Sequence, residues 1–291
     1  MEKKGHNEMT VDKTSVKLAG VIGDPILHSM SPIIQNYWIK KSNLNGYYIP
    51  IKVLDDEVEK KIRYLRELGF LGLNVTIPHK VKAFNLADKL TEEAKKVGAV
   101  NTLFFQSNQI IGDNTDTYGF KNSVYQNFPF YNFKNQKVLI YGAGGASRAI
   151  LSVYLSEKAD EIRLINRDRK KANDLGNEFS DRIKIYDWSD HGAAIMGATT
   201  LINCTSLGTL NKESFPHNLK GAHPKAVGID LVYNPMETTF MRKAAKEDIK
   251  CINGLDMLVH QAIPGFIEWF KKEPAYTKHL RQLLIKSVRG I

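Results

Sequence analysis

An apolar run at residues 138–141 stops at a glycine cluster, Gly142, Gly144 and Gly145, and apolar residues resume over 149–155. A strand, a tight turn and a helix in that order open a βαβ unit, and glycines at this spacing fit one that binds a dinucleotide. Gly142 permits the sharp turn, and Gly144 lets backbone N–H groups approach a pyrophosphate. The positive end of the helix dipole favours the same charge. Ser147 stands where the third glycine of the usual pattern falls and is small enough for close strand–helix packing. An ordinary βα turn is the plainer alternative; the strand before and the helix after weigh against it.

The chain keeps this rhythm. Strand-like runs at 162–165, 183–186, 200–203 and 226–230 alternate with helical stretches, the pattern of a parallel, doubly wound sheet. Upstream residues predict another α/β half. Its strands fall at 18–22, 47–51 and 71–76, and a helix opens with Ser31 as N-cap and Pro32 in the first turn. Further helices are predicted over 55–68, ended by Gly69, and over 80–90, and a hairpin joins 99–105 to 109–112 around Ser107 and Asn108. Residues 127–136 read as a connecting loop, and 256–286 as helical with a break at Pro264 and Gly265. The fold class is α/β: an N-terminal α/β unit plus a Rossmann-like doubly wound unit, for which 291 residues give ample length.

Composition excludes several functions. No apolar run approaches ~18 residues, so no membrane span is expected. The N-terminus lacks an apolar stretch of signal-peptide type. The two cysteines, Cys204 and Cys251, form no C-x-x-C pair and read as small core residues in a protein of the reducing cytoplasm. The net charge of +10 comes from Lys and Arg scattered among Asp and Glu, which suits small anionic ligands rather than nucleic acid. The eight histidines show no metal-ligand spacing, so no metal is expected, and His28, His79 and His260 read as locally satisfied groups.

Four polar clusters in the first half carry candidate chemistry. Ser29 and Ser31 flank a helix start, where two hydroxyls and free N–H groups grip a carboxylate. Asn74 and Thr76 share one face at the end of a strand, and Lys80 follows. A lysine with a lowered pKa beside a carbonyl donates a proton to it; alone, Lys80 reads more readily as a solvated surface lysine. Asn101 lies in or beside an apolar strand, where a buried amide needs partners. Asp116 ends a polar run from 113 that is either a ligand-binding carboxylate site or a turn with Asx hydrogen bonds. At the end of the second strand of the glycine unit, an acidic residue that would accept a ribose 2′-OH is replaced by Asn166 and Arg167, with Lys171 a turn later. Amide, guanidinium and ammonium favour a 2′-phosphate, hence NADP, with NAD as the alternative. Asp168 would repel that phosphate or cap the next helix.

Together, segments 23–36, 74–80, 98–102, 113–116, 142–148, 166–168, 203–208, 230–233 and 254–261, in this order, resemble the shikimate dehydrogenase family. The resemblance implies reversible NADPH-dependent reduction of 3-dehydroshikimate to shikimate, in aromatic amino-acid biosynthesis. It implies Ser29 and Ser31 on the substrate carboxylate, and Asn74, Thr76, Asn101, Asp116 and Gln261 on the ring hydroxyls. Lys80 is implied as general acid/base beside Asp116, with Tyr233 reaching in from the cofactor unit. Gly142, Ala143, Gly144, Gly145 and Ala146 are implied at the pyrophosphate, and Asn166, Arg167, Asp168 and Lys171 around the adenosine phosphate. Thr205, Leu231, Gly254 and Met257 complete the implied cofactor contacts. The implied division is a tail at 1–17, a discontinuous substrate-binding domain of 18–115 and 255–291, and a cofactor domain of 116–254; a homodimer is an open expectation. Asp168 replaces the Thr or Ser common in NADP-using members, and Gln35 a common His. Ser29 leans toward shikimate over quinate. The alternatives are a dual quinate/shikimate enzyme using NAD and, from another class, a non-catalytic sensor of a nucleotide and a small acid.

Overall fold

The structure, a computed structural model, describes residues 16–290. The expected N-terminal tail lies outside them except at its end, where Lys17 already belongs to the first strand. The first half contains β1 (Lys17–Gly23), α1 (Ser31–Lys41), β2 (Gly46–Lys52), α2 (Val58–Glu67), β3 (Phe70–Val75), α3 (Lys80–Leu86), β4 (Lys89–Leu90), α4 (Glu92–Val97), β5 (Thr102–Gln106) and β6 (Gln109–Asp113). Across the sheet the order is β2-β1-β3-β5-β6-β4. β1 pairs in parallel with β2 and β3, whereas β5 runs antiparallel to β3 and β6. In α2, Val58, Ile62 and Leu65 recur at i, i+4 and i+7 and are buried, each stabilising by about 1.5–3 kcal/mol.

α5 (Asp116–Asn127) leads into β7 (Lys137–Tyr141), α6 (Gly145–Ser156), β8 (Glu161–Ile165), α7 (Arg169–Phe179), β9 (Ile183–Tyr186), α8 (His191–Ile195), β10 (Thr200–Asn203), β11 (Val227–Asp230), α9 (Thr239–Ala245) and β12 (Lys250–Ile252). These strands form one parallel sheet in the order β12-β11-β10-β7-β8-β9. The chain changes direction across the sheet at β7, so the glycine turn lies at the topological switch point, where open α/β sheets bind ligands. α10 (Leu255–Phe270) and α11 (Lys278–Arg289) return to the first half: Phe266, Trp269, Phe270, Leu280 and Leu284 share a core with Ala19, Val21 and Trp38.

Four expectations are corrected. The helix beginning at Lys80 ends at Leu86. Asp88 is then drawn to the sheet edge, its N–H donating to Ile110 O at 2.8 Å and its carboxylate accepting the Ile110 N–H at 2.7 Å. Residues 99–101 precede β5 rather than belonging to it. Pro264 does not break α10, which is continuous to Phe270 and stops at Lys271 in a left-handed conformation. Burial of Val259, Ala262, Ile263 and Phe266 from the same helix outweighs the hydrogen bond that proline removes. Ser31 is the first helical residue, not the N-cap; Met30 takes that place, and the Ser29 hydroxyl accepts the Ser31 N–H at 3.3 Å.

Candidate active site

Lys80 opens α3, and its backbone carbonyl accepts the Val100 N–H at 2.9 Å. Its ammonium donates to Asp116 Oδ2 at 2.5 Å, and both side chains are largely buried. Asp116 opens α5, where its own N–H donates to Asn114 Oδ1 at 3.1 Å. The Asx turn and the carboxylate site, alternatives in the sequence, are thus one feature: the turn places the carboxylate against Lys80. Asp116 Oδ1 accepts from Asn101 Nδ2 at 2.8 Å.

Asn101 is 2 % exposed. Its Oδ1 accepts from the Thr115 N–H at 2.8 Å and Thr102 Oγ1 at 2.9 Å, and its Nδ2 also reaches Gln261 Oε1 at 3.4 Å. Gln261 comes from α10, held against α5 at a close helix crossing. A Cβ on Gly119 would lie 2.6 Å from Gln261 Cβ and 2.9 Å from Met257 O, so only glycine lets α5 approach this closely. Thr115 Oγ1 donates to Gln261 O at 2.8 Å across the same crossing.

Asn74 lies buried near the end of β3, while Thr76, just past it and half-buried, donates its N–H to Ile22 O at 3.0 Å. Asn74 Nδ2 donates to Thr102 Oγ1 at 3.0 Å, and its Oδ1 accepts from the Tyr48 hydroxyl at 2.6 Å. Burial pushes the Tyr48 phenol well above its usual range, opposed by a side-chain hydrogen bond with Ser31. A continuous polar chain therefore runs from Tyr48 through Asn74, Thr102 and Asn101 to Asp116 and Lys80. Thr102 and Thr115 lie within the polar clusters at 98–102 and 113–116 but are not singled out there, and Tyr48 lies outside every cluster; Tyr47 and Tyr48 adjoin in a strand, and only sheet register decides which faces inward.

The glycine turn lies beside this chain. A Cβ built on Gly145 would be 3.8 Å from Lys80 Cδ. Gly142 has φ +104°, and a Cβ there would meet Thr205 Cγ2 at 2.9 Å, which makes glycine the residue for this turn. The Ser147 hydroxyl donates to Gly142 O at 2.6 Å and closes the loop from the third position. Gly144 precedes α6 with open space above it, and no side chain caps the helix. Ala143, Gly145 and Ala146 are half-buried along the same turn. Open N–H groups at the start of a helix after a switch-point strand fit a dinucleotide pyrophosphate.

Farther out, the Asn166 amide donates to Asp168 O at 2.8 Å, and Asp168 Oδ1 accepts the Lys171 N–H at 3.1 Å. Asp168 therefore caps α7. Arg167 extends into solvent and pairs with Glu213 at 2.8 Å, and Lys171 is exposed. Leu231 and Met257 pack against the core of the second sheet, and Tyr233 against that of the first. The Gly254 N–H donates to Val232 O at 3.2 Å.

His79 and His260 are locally engaged, His79 Nε2 lying 2.8 Å from Val53 O and His260 Nε2 2.8 Å from Gln126 Oε1, whereas His28 is exposed rather than locally satisfied. Both cysteines are free, and burial pushes the Cys204 thiol up to about 12 and Cys251 higher, which leaves neither nucleophilic at neutral pH. Among the described residues, no group of three or more His, Cys, Asp or Glu could hold a metal ion, and no helix is long and apolar enough to cross a membrane.

Residues 21–103 match the shikimate dehydrogenase substrate binding domain, and residues 124–235 match shikimate / quinate 5-dehydrogenase. The chain is 39 % identical over 271 residues to the shikimate dehydrogenase (NADP(+)) of Ruegeria sp. strain TM1040, covering 93 % of this chain and 98 % of that one. A crystal structure of a shikimate dehydrogenase in complex with NADP+ superposes with a TM-score of 0.85 at 32 % identity, over 94 % of this chain and 96 % of that one. One from Listeria monocytogenes in complex with shikimate and NAD gives a TM-score of 0.82 at 28 % identity, over 92 % and 96 %. Matches of this extent, over both sheets and the residues between them, make the chain a member of the shikimate dehydrogenase family.

Proposed function

We propose that this protein catalyses the reversible NADPH-dependent reduction of 3-dehydroshikimate to shikimate. The observation that carries the reading is the buried Lys80–Asp116 pair beside the glycine turn. Residues 18–115 and 255–291 form the substrate-binding domain in this reading, and 116–254 the cofactor domain. Ser29 and Ser31 take the carboxylate, while Asn74, Thr76, Asn101, Gln261 and Tyr233 surround the ring.

The backbone of Gly142 to Ala146 cradles the pyrophosphate, and Asn166, Arg167 and Lys171 face the 2′-phosphate. Thr205, Leu231, Gly254 and Met257 border the rest of the cofactor. Bound there, the reduced nicotinamide supplies the hydride. Lys80 Nζ holds the proton that the carbonyl oxygen takes as negative charge develops on it. Asp116 keeps that ammonium aimed and accepts a ring hydroxyl on its other oxygen. Asn101 fixes the Asp116 carboxylate by donating to Oδ1. The family relationship and the two free thiols support a cytoplasmic setting.

The test is nicotinamide absorbance with shikimate or quinate and NADP+ or NAD+. The highest kcat/KM is expected for shikimate with NADP+. Absence of turnover in all four combinations overturns the reading, and a maximum for quinate with NAD+ reassigns the chain to the dual-specificity group.

A further inference from the structure

Residues 97–101 hold the Lys80–Asp116 pair from behind. The Val100 N–H donates to Lys80 O at 2.9 Å, and Asn101 Nδ2 donates to Asp116 Oδ1 at 2.8 Å. The start of the same segment touches the second half of the molecule. Val97 closes α4, and a helix end leaves such a carbonyl without an intrahelical donor. Arg148, on α6, donates its Nε–H to Val97 O at 3.0 Å, a place where the helix dipole also favours a cation. The approach is close: a Cβ on Gly98 would lie 2.6 Å from Arg148 Nη2. Val97 and Ala99 pack with Ala149 in a small apolar cluster, all three fully buried.

Arg148 is itself held from the far side by α7. Glu178 pairs with its Nη2, and the guanidinium carbon lies 5.5 Å from the centre of the Phe179 ring. The planar group is thus fixed within the second half where it meets the first, and its side chain is largely buried. Arg148 stands one turn into α6 from Gly145, and a Cβ on Gly145 would be 3.8 Å from Lys80 Cδ. A shift of α6 against α4 therefore moves the glycine turn against Lys80.

We propose that Arg148 is a positioning residue: by docking α6 on the C-terminal end of α4, it sets the spacing between the cofactor seat and Lys80, and so the alignment for hydride transfer. This rests on the proposed reaction and on the proposed seat of the pyrophosphate at the glycine turn. No ligand contact is assigned to Arg148, so its loss shows in the reaction step rather than in binding.

The test uses Arg148→Met, which keeps the stem and removes every donor, and Arg148→Lys, which keeps the charge without the planar fork. Single-turnover reduction of NADP+ by saturating shikimate is followed by nicotinamide absorbance with enzyme in excess. Arg148→Met slows it roughly tenfold to hundredfold, the usual cost of a small misplacement of reacting groups. Arg148→Lys slows it about threefold to tenfold, and it carries the comparison if Arg148→Met fails to fold. Dissociation constants for NADP+ and for shikimate, each measured alone by calorimetry, stay within about twofold of the wild type. Partial unfolding lowers the amplitude of the trace and leaves its rate constant unchanged, so the rate constant separates a positional role from a merely structural one. In the ligand-free protein, amide exchange over residues 92–100 speeds up in both variants, because the end of α4 has lost its dock. An unchanged rate constant, a slowed one matched by an equal loss of affinity for either ligand, or unchanged amide exchange overturns the proposal. Wild-type turnover in the same series separates the two failures: without it the functional reading falls, and with it a variant of normal rate removes only the role of Arg148.

Discussion

Asn101 is 2 % exposed and Asp116 6 %, whereas Arg167 and Lys171 leave 64 % and 71 % of their side chains in solvent. The first two sit in a network of buried groups that hydrogen-bond to one another. The other two stand on the surface, held by single ion pairs at most. A buried, satisfied network is stiff, and its parts depend on one another. An exposed cluster is loosely placed, screened by salt, and adjustable one residue at a time. In the proposed function, chemistry at the ring thus belongs to a preorganised unit, and cofactor preference to electrostatics that change without disturbing the fold.

The largest effect that tests this contrast is at Lys80. Lys80→Ala should lower kcat by ~10²–10⁴, the usual worth of a general acid/base, while Asn101 and Gln261 still hold the ring. Steady-state kinetics with shikimate binding measured separately distinguishes the two terms. Near-normal turnover in this variant breaks the assignment.

Interdependence is tested next. Asn101→Ala removes a donor to Asp116 and the acceptor used by Thr102 and Thr115. Combined with Asp116→Asn in a double-mutant cycle, it should show an interaction of about 0.5–3 kcal/mol in kcat/KM. Strict additivity would mean that the buried groups act singly, and the contrast with the surface cluster would vanish.

What was legible in the sequence follows the same divide. The glycine turn is local: Gly142 takes the positive φ that its sharp turn requires, Ser147 is buried against the turn and donates to Gly142 O, and Gly144 leaves open space at the start of α6. Lys80 and Asp116 were visible as separate polar clusters, but their pairing depends on how α3 and α5 meet. Tyr48 was invisible because its partner lies on β3 and β1 intervenes in the sheet, with Ala19 registered against Tyr48. The helix at Asp116–Asn127 was also missed, since its buried face contains Thr117, Gly119 and Ser123 among the apolar residues and so lacks a clear apolar period. Pro264 misled for a related reason: burial against the first sheet decides the helix, and local propensity does not register it.

Asp230 is a buried polar group on the cofactor side and so tests whether burial or location sets the behaviour. It ends β11 and accepts hydrogen bonds from Asn203, the Val232 N–H and Thr238. Burial pushes its carboxyl up to about 6, against those hydrogen bonds. The folded chain therefore holds a proton that the unfolded chain has released above its ordinary value of 3.8. Its contribution to stability is full below about pH 4 and is lost as pH rises through about 6, amounting to about 1–3 kcal/mol. Urea unfolding of the wild type and Asp230→Asn across this range should give a difference that shrinks with rising pH. A pH-independent difference means that the buried proton is absent.

The smallest effect lies at the surface pair of Arg167 and Glu213. The 2.8 Å ion pair commits the guanidinium to Glu213. In the proposed placement, a 2′-phosphate, nearly doubly negative, draws Arg167 away from that carboxylate and then lies close to it. Glu213→Gln keeps the side chain's shape and removes its charge, so it should lower KM for NADP+ and leave KM for NAD+ unchanged. Exposed pairs are worth about 0–1 kcal/mol, so the gain is roughly twofold to fivefold. Arg167→Ala should act in the opposite direction, again on NADP+ alone. Both effects should fade as salt is raised, because at physiological ionic strength the screening length is about 8 Å. An equal change for NAD+, or one that persists in high salt, would place the interaction in a buried site and remove the distinction between the two ends.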